Sequence, residues 1–430
     1  MFQIITLLLG RDIIQRRGLI VAVVGWAWLM LGTVIMIDAL DGHTWVRPHL
    51  FGYLIIPEGV VSIIAAFGRR GTARKLRIIK GIALLIGAAL ILSHYPGHNF
   101  ILAIALGLAF LVDGAMRIAS AYVVRFPGWR KSLVAGVLEI LIAIITLEPW
   151  PTWYEATIGF NVSIILIISG LALIRIAKRI RELRPDAPIS ALFTDDPVLP
   201  AFDLGPSDPQ ANRGDLVVHV WTPTGSASTP LHRAPVDRYI AAVDQNGVIS
   251  TGHAALEMAN IYVSHYPAAE IERSPDDFRR ALRATSDNDV PGRFLPSYQE
   301  EAAGWCPSTV QVIFKNFRAD RLRAFWSAYN QDTTYNLTHR NCSSTVANAL
   351  DAALEGILAQ HPGKAVSVLK MITSPELWAA SLIRERAESM AWTPGLVLDY
   401  ARALNALVHP EPFNWSLFGL FRRSSPVSGG

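Results

Sequence analysis

The chain has 430 residues, 39 Lys+Arg against 35 Asp+Glu and a mean hydropathy of +0.31, with 51% hydrophobic and only 17% charged residues. Soluble proteins carry about 25% charged residues; the shortfall excludes a disordered chain, and two cysteines exclude a disulfide-built scaffold. Residues 1–184 hold 19 basic and 9 acidic side chains, whereas residues 185–430 hold 20 and 26. An apolar, basic first part and an acidic, mixed second part read as a membrane domain followed by a soluble one, and the basic pI gives little reason to expect nucleic acid.

In chain order, apolar stretches at 18–40, 50–67, 78–92, 100–124, 133–147 and 156–174 reach or approach the length of about 20 residues that a spanning helix needs. The third and fifth are short, and either alone could be a core helix. Their loops argue otherwise. Arg11, Arg16 and Arg17 precede the first stretch, and Arg69, Arg70, Arg74, Lys75, Arg77 and Lys80 fill the second loop. Arg125, Arg130 and Lys131 occupy the fourth loop, and Arg175, Lys178, Arg179, Arg181 and Arg184 follow the last stretch. The first loop offers Arg47 beside Asp38 and Asp41, while the third and fifth contain no Lys or Arg. This alternation predicts six spans with both ends inside. The first span is long and has no small-residue site after it, which argues against a cleaved signal peptide. The spans read as three hairpins, with aromatic or proline clusters at several outer turns (Trp45, Tyr95-Pro96, and Pro149 to Trp153). Three acidic residues, Glu58, Asp113 and Glu139, lie within spans. Asp113 and Arg117 stand four apart and can pair on one helix face. Such groups either fix helix packing or line a proton or solute path.

The stretch from Asp113-Gly114 through Arg117-Ile118, Arg125, Trp129, Gly136 and Pro149 to Gly170 resembles the HdeD-like membrane proteins. In that family short hairpins repeat, and a Gly-x-x-Arg-Ile-type motif closes one span. The resemblance covers about the first 180 residues. It implies a six-helix bundle in a family associated with acid stress, without a transferable mechanism.

A linker over 185–213 carries Pro185, Pro188, Pro197, Pro200, Pro206 and Pro209, and reads as a semi-extended tether. Because the preceding basic cluster is expected inside, the rest is expected in the cytoplasm, where a structural disulfide is disfavoured. Residues 214–356 begin strand-rich: 215–221 alternates, and 239–258 reads as a hairpin turning at Asn246-Gly247. Short strands follow at 261–265 and 309–314, then a helix over 319–329 with Leu322, Phe325 and Trp326 on one face. Asn341 and Cys342 open a further helix whose apolar stripe is Val346, Leu350 and Leu354. A helical extension over 357–408 and a disordered Pro/Ser/Gly tail over 409–430 complete the chain.

Cys342 carries the chemistry. A helix N-terminus or a nearby imidazole lowers a thiol's pKa, and Asn341 is a plausible cap for the helix that starts here. A nucleophile also needs a base within hydrogen-bond reach, itself oriented by a third group. His253, after Gly252, projects from a strand and supplies the base; His265, one strand later, is placed to hold the imidazole, with Glu257 as a weaker alternative. Cys306, in Gly304-Trp305-Cys306-Pro307, reads as packing, and His339 and Arg340 as solvated loop residues. No metal-ligand spacing, phosphate-cradling glycine loop or serine elbow occurs.

The order Gly252-His253-Ala254-Ala255-Leu256, then Ile261 to Pro267, then Asn341-Cys342-Ser343-Ser344-Thr345-Val346 is similar to circularly permuted papain-like proteins of the NlpC/P60 superfamily, including their lecithin:retinol acyltransferase-like and toxin-effector branches. The resemblance covers about 214–356 and implies a papain-like α+β fold with Cys342 as nucleophile and His253 as base. Family members often carry a large aromatic where His265 stands. The reaction varies among peptide hydrolysis, amide hydrolysis and acyl transfer.

The expected architecture is therefore an all-α transmembrane bundle of six helices plus a cytoplasmic α+β permuted papain-like domain. The expected placement is multi-pass in a bacterial inner membrane, with both termini and the C-terminal domain cytoplasmic. The expected function is a cysteine hydrolase or acyltransferase acting on an amide, ester or thioester, with catalytic residues Cys342, His253 and His265. It would use no cofactor or metal and have the lipid bilayer as partner. Two other readings stay open: an inactive papain-like sensor or binding module, and a transporter or channel with a regulatory tail.

Overall fold

The structure, a computed structural model, describes residues 1–41, 45–67, 71–93, 97–150, 152–183, 188–193, 214–222, 242–243, 249–269, 282–360 and 371–410. The Asn246-Gly247 turn, residues 194–213 of the linker and the tail from 411 lie outside the described residues.

Two short helices, α1 (Phe2–Leu9) and α2 (Arg11–Arg16), precede α3 (Gly18–Leu40), α4 (His49–Phe67), α5 (Gly71–Leu92), α6 (His98–Val124), α7 (Trp129–Leu147) and α8 (Thr157–Glu182). Of these, α3, α4, α6 and the stretch Tyr154–Glu182 are long and apolar enough to cross a membrane. Their outward side chains are apolar, as lipid contact requires: Leu19, Met30, Leu54 and Ile168 are all exposed. Helix α5 is less apolar because Arg74, Lys75, Arg77 and Lys80 occupy its first half, and α7 because Arg130, Lys131 and Glu139 interrupt it.

The packed helix pairs are α4 with α5, α6 with α7, and α3 with α8. The expected hairpins about the outer turns are thus replaced by pairs joined through the second and fourth loops, with the first and last helices closing the bundle. The cause is glycine placement. Gly59 and Gly81 let α4 and α5 approach, Gly114 and Gly136 do the same for α6 and α7, and Gly25, Gly32 and Gly170 for α3 and α8. A Cβ at Gly170 would sit 2.7 Å from the Leu29 backbone nitrogen, so small residues at these crossings are a steric requirement.

The globular half is built on an antiparallel sheet of order β5-β4-β1-β8, with β1 Leu216–Trp221, β4 His253–Met258, β5 Ile261–Val263 and β8 Val310–Phe314. A second sheet joins β6 (His265–Pro267), β7 (Val290–Phe294) and β9 (Thr334–Tyr335). The expected long hairpin arm is split. β2 (Ala242–Val243) pairs with β3 (Ile249–Ser250), and Gly252, at φ +69°, turns the chain before β4 joins β1. Around the sheets lie α9 (Tyr298–Gly304), α10 (Ala319–Tyr329), α11 (Cys342–Leu354), α12 (Pro375–Ser389) and α13 (Pro394–Val408). Ser374 and Thr393 cap α12 and α13, each followed by proline at the first helical position, where a missing N–H costs nothing.

One core unites these elements. Leu216, Val218, Val220, Ala254 and Leu256 from the sheet meet Val346, Ala347 and Leu350 from α11 and Val397, Tyr400 and Leu404 from α13. The helical extension over 357–408 is thus part of the domain core through α12 and α13. So is the N-terminus: Ile4, Ile5 and Leu8 of α1 are buried in the same core. The linker's first turn, Ile189–Leu192, packs Ile189 and Leu192 against Leu7, Ile14 and Ile180, so this part of the expected tether is structured.

The N-terminal segment is held by a backbone contact. Gly356 N–H donates to Leu7 O at 2.8 Å, and a Cβ on Gly10 would lie 2.5 Å from Gly356 Cα. Gly10 and Gly356 have φ of +75° and +78°, and Gly10, with ψ of 165°, is in a region nearly restricted to glycine, costing another residue about 1–3 kcal/mol. Gly10→Ala adds that strain to a steric clash. It should destabilise the protein by about 2–4 kcal/mol, seen as a lower Tm in detergent and faster amide exchange across residues 2–16.

Candidate active site

Helix α11 presents Cys342, the candidate nucleophile. Asn341 Oδ1 accepts from Ser344 N at 2.8 Å, Ser344 Oγ accepts from Asn341 N at 2.9 Å, and the reciprocal pair fixes where the helix starts. Asn341 Nδ2 also donates to Leu337 O and to Trp392 O, tying the cap to the segment between α12 and α13. Cys342 is therefore the first helical residue. The N–H groups of Cys342 and Ser343, in the first turn, have no acceptor within the helix, the arrangement that can meet a developing oxyanion.

Strand β4 presents the imidazole. His253 opposes Trp221 on β1, is 2% exposed, and stacks on Tyr266 with ring centroids 4.1 Å apart. Cys342 and His253 are near neighbours, each among the chief influences on the other's charge, and the Ala254 N–H favours the thiolate as well. The His253 Nε2 edge faces the other way, 3.1 Å from Glu301 Oε1 and 3.0 Å from Ser264 Oγ.

Glu301, on α9, is 3% exposed. Its Oε2 accepts from Tyr262 at 2.5 Å and from Ser264 Oγ at 2.9 Å, and its Oε1 accepts from Tyr266 at 2.6 Å. This network assigns the imidazole tautomer. The Ser264 proton goes to Glu301, so Ser264 Oγ accepts from His253, and Nε2 carries a hydrogen. Nδ1 is then the ring nitrogen left without a hydrogen and able to accept a proton. Sulfur, imidazole and carboxylate form a chain of the kind nucleophilic catalysis needs.

The electrostatics fit an ion pair. Burial pushes the Cys342 thiol up, but the adjacent His253 imidazole, the Ser343 hydroxyl and the Ala254 N–H outweigh it and bring it below the ordinary thiol value. Burial pushes His253 down, and the Cys342 thiolate and Glu301 carboxylate more than restore it, leaving it above the ordinary imidazole value. Burial and the Glu301 charge drive the Tyr262 and Tyr266 phenols up, so both remain donors at neutral pH.

His265, expected to hold the imidazole, is placed elsewhere. It follows Ser264, and alternation turns it to the opposite side of the chain, where Nδ1 lies 3.3 Å from Thr345 Oγ1 and Nε2 lies 3.3 Å from Thr333 O. Burial brings its pKa down to about 4, so it is neutral at pH 7. Thr345 is on α11, which makes His265 a brace for the nucleophile helix. Glu257, the weaker alternative, bonds His219 Nε2 at 3.1 Å, and burial lowers the His219 pKa. Cys306 is half-buried against Trp221, and its carbonyl accepts from Trp221 Nε1 at 2.7 Å. Arg340 bonds Thr334 O and Asp332 O and lies over the Tyr329 ring, so it is an ordered part of the loop before Cys342.

Local pattern gives little sign of Glu301, because 268–308 shows no run of periodic residues. The available signal was Ser297 with Glu300 three residues later, a cap pattern that does start α9. The acidic span residues are all paired: Glu58 with Lys80 at 2.5 Å, Asp113 with Arg117 at 3.1 Å and Glu139 with Arg117 at 3.1 Å. A cavity of about 380 Å³ lies where the membrane helices meet the globular half. Ser344, Asn348, Phe126, Arg117 and Trp392 line it and Cys342 does not, so it borders a different face of α11 from the sulfur. Among the described residues no His, Cys, Asp and Glu cluster is arranged to hold a metal.

Comparison with family models, with curated proteins and with solved structures finds no match to this chain.

Two outcomes follow from the shifted groups. A lowered Cys342 pKa and a raised His253 pKa both shift the pair toward thiolate and imidazolium. Iodoacetamide should therefore alkylate Cys342 well below pH 8.5, the ordinary thiol value, and His253→Ala should move the profile upward by more than one pH unit in mass-spectrometric labelling. For His265 the folded pKa lies below the unfolded value, so its contribution is present above about pH 6.5 and lost as pH falls toward 4. Tm should drop over that range, by up to about 3 kcal/mol of stability, and His265→Gln should flatten this drop while leaving the Cys342 alkylation profile in place.

Proposed function

We propose that the chain is a membrane-anchored cysteine hydrolase or acyltransferase acting on an amide, ester or thioester carbonyl. The supporting observation is the buried chain Cys342–His253–Glu301, in which each group's remaining hydrogen-bonding atom is the one the next step requires. His253 Nδ1 takes the Cys342 proton. The thiolate attacks the carbonyl carbon, and the N–H groups at the start of α11 bind the oxyanion. Imidazolium then gives its proton to the leaving amine, alcohol or thiol, and an acyl-enzyme remains on sulfur. Water or an amine, deprotonated by the same imidazole, releases the acyl group. Glu301 holds the Nε2–H and sets its carboxylate against the imidazolium charge, the role of an orienting carboxylate in acyl transfer.

The globular fold is proposed to be a permuted papain-like one, on the strength of the strand-borne histidine preceding the helix-borne cysteine. Six crossings are proposed for the membrane half. Helices α5 and α7 pair with the apolar α4 and α6, and α1 lies in the core of the C-terminal domain, so both ends of the bundle are on one side and the crossings are even in number. That side is proposed to be the cytoplasm of a bacterial inner membrane, because it carries the basic loops. Confinement at a bilayer raises the local concentration of lipid and membrane-protein substrates.

Incubating the full-length protein in detergent with acyl-ester, thioester and peptide panels tests the reading through a mass adduct on Cys342. Turnover should vanish in Cys342→Ala and fall roughly 10²–10⁴-fold in Glu301→Gln, which keeps the shape but removes the charge that holds the imidazolium. Absence of adduct and turnover across all panels, or Glu301→Gln activity equal to wild type, overturns it.

A further inference from the structure

Helix α12 faces two ways. Leu377 and Ala380 are buried in the globular core, and Arg384 forms a buried ion pair with Asp351 of α11. Its other side is fastened to the membrane helices. Glu376 meets Arg77 at 2.9 Å, Thr373 O just before the helix accepts from Lys80 at 2.8 Å, Glu385 meets Arg117 at 3.3 Å, and Arg386 pairs with Asp113.

These partners are not at helix ends. At 1.5 Å per residue, Lys80 lies about 13 Å along α5 from its start, and Asp113 about 16 Å from the C-terminal end of α6. Glu58, bonded to Lys80, sits near the middle of α4, one of the helices apolar enough to span. With the six crossings proposed above, α12 runs beside α5 and α6 at bilayer depth, in the leaflet on the globular side.

The face that α12 turns outward there is apolar. Trp378 is 51% and Leu382 57% exposed, one helical turn apart, with Ile372 also exposed just before the helix. Neighbouring outward residues on α5, Ile79 and Ile82, are exposed and apolar in the same way. Trp378 satisfies its own polar edge by donating from Nε1 to Ile372 O, and the Lys80 ammonium lies 5.6 Å from its ring centroid. The helix's charges are paired: Arg384 with Asp351 and Glu388, Glu385 with Arg117, Arg386 with Asp113. Apolar outward residues, an interfacial tryptophan and neutralised charge are what a helix needs at the lipid boundary.

We propose that α12 is an interfacial helix whose Ile372–Trp378–Leu382 face contacts phospholipid in the leaflet on the globular side. The globular half is then embedded at its edge, and the nucleophile helix is joined to the lipid-contacting helix through Arg384 and Asp351. This proposal does not depend on the thiol chemistry.

The test uses the full chain in phosphatidylethanolamine/phosphatidylglycerol nanodiscs, with Leu382→Cys in a Cys306→Ser/Cys342→Ala background carrying an environment-sensitive fluorophore. Asp287→Cys, exposed on the globular half, is the aqueous reference. Nitroxide placed high on the acyl chain should quench the label at 382 at least several-fold more than at 287, while aqueous iodide should quench 382 less. As a second measurement that needs no label, Trp378→Phe should remove part of the tryptophan emission that brominated lipid quenches. Iodide quenching at 382 equal to that at 287 overturns the proposal. So does shielding of 382 from both quenchers that disappears in single-copy nanodiscs, since a second copy of the chain would then cover the face.

Discussion

The buried carboxylate of Glu301 organises the candidate site. A charge at 3% exposure is costly unless every lone pair is engaged, and here Tyr262, Ser264, Tyr266 and His253 engage them together. These four residues come from β4, β5, β6 and the residue between the last two, so the two sheets meet at one oxygen pair. Because the hydroxyls donate to the carboxylate, the imidazole must donate as well, which leaves its other nitrogen for the thiol. The tautomer follows from that one charge, which also helps hold the His253 pKa up and, after burial, drives up the Tyr262 and Tyr266 phenols.

A second set of charges joins the two halves of the chain. Glu58, Asp113 and Glu139 stand in apolar helices, where unpaired carboxylates would be expensive. Their partners come from the same or neighbouring membrane helices and, through Arg386, from α12 of the globular half. Three consecutive residues of α12 share the work, because helical geometry sends them in different directions: Arg384 toward α11, Glu385 and Arg386 toward α6. With α1 buried in the globular core, the protein has its N-terminus, α12 and the last membrane helix converging on one domain.

Local signals carried much of the architecture. Continuous apolar runs and alternating loop charge marked the membrane half; the stripe of Val346, Leu350 and Leu354 and the Asn341 cap marked α11; alternation marked β1 and β4. Cys342 and His253 were legible for the same reason, since a helix start and a strand after glycine are short-range features. The hairpin assignment failed at long range. Adjacent spans are the natural expectation, but close approach is allowed only where glycines from two helices face each other, and those faces pair α3 with α8. The helical extension and the first residues looked peripheral because burial of α1, α12 and α13 depends on surfaces hundreds of positions away.

By itself, then, the sequence determined the long apolar helices, strand β1, helices α10 and α11, and where a thiol would sit at a helix start, because backbone propensity, hydropathy and capping act within a few residues. Only the tertiary structure decided that Glu301, and neither His265 nor Glu257, meets His253. One residue of alternation sends His265 to the Thr345 side, and a seven-residue helix with little periodicity delivers the carboxylate. It also decided that α12 lies against α5 and α6, since ion pairs between residues some 270–300 positions apart leave no trace in local pattern. Selection of partners across a fold is a matter of packing and charge neutralisation in three dimensions, which no short window of sequence encodes.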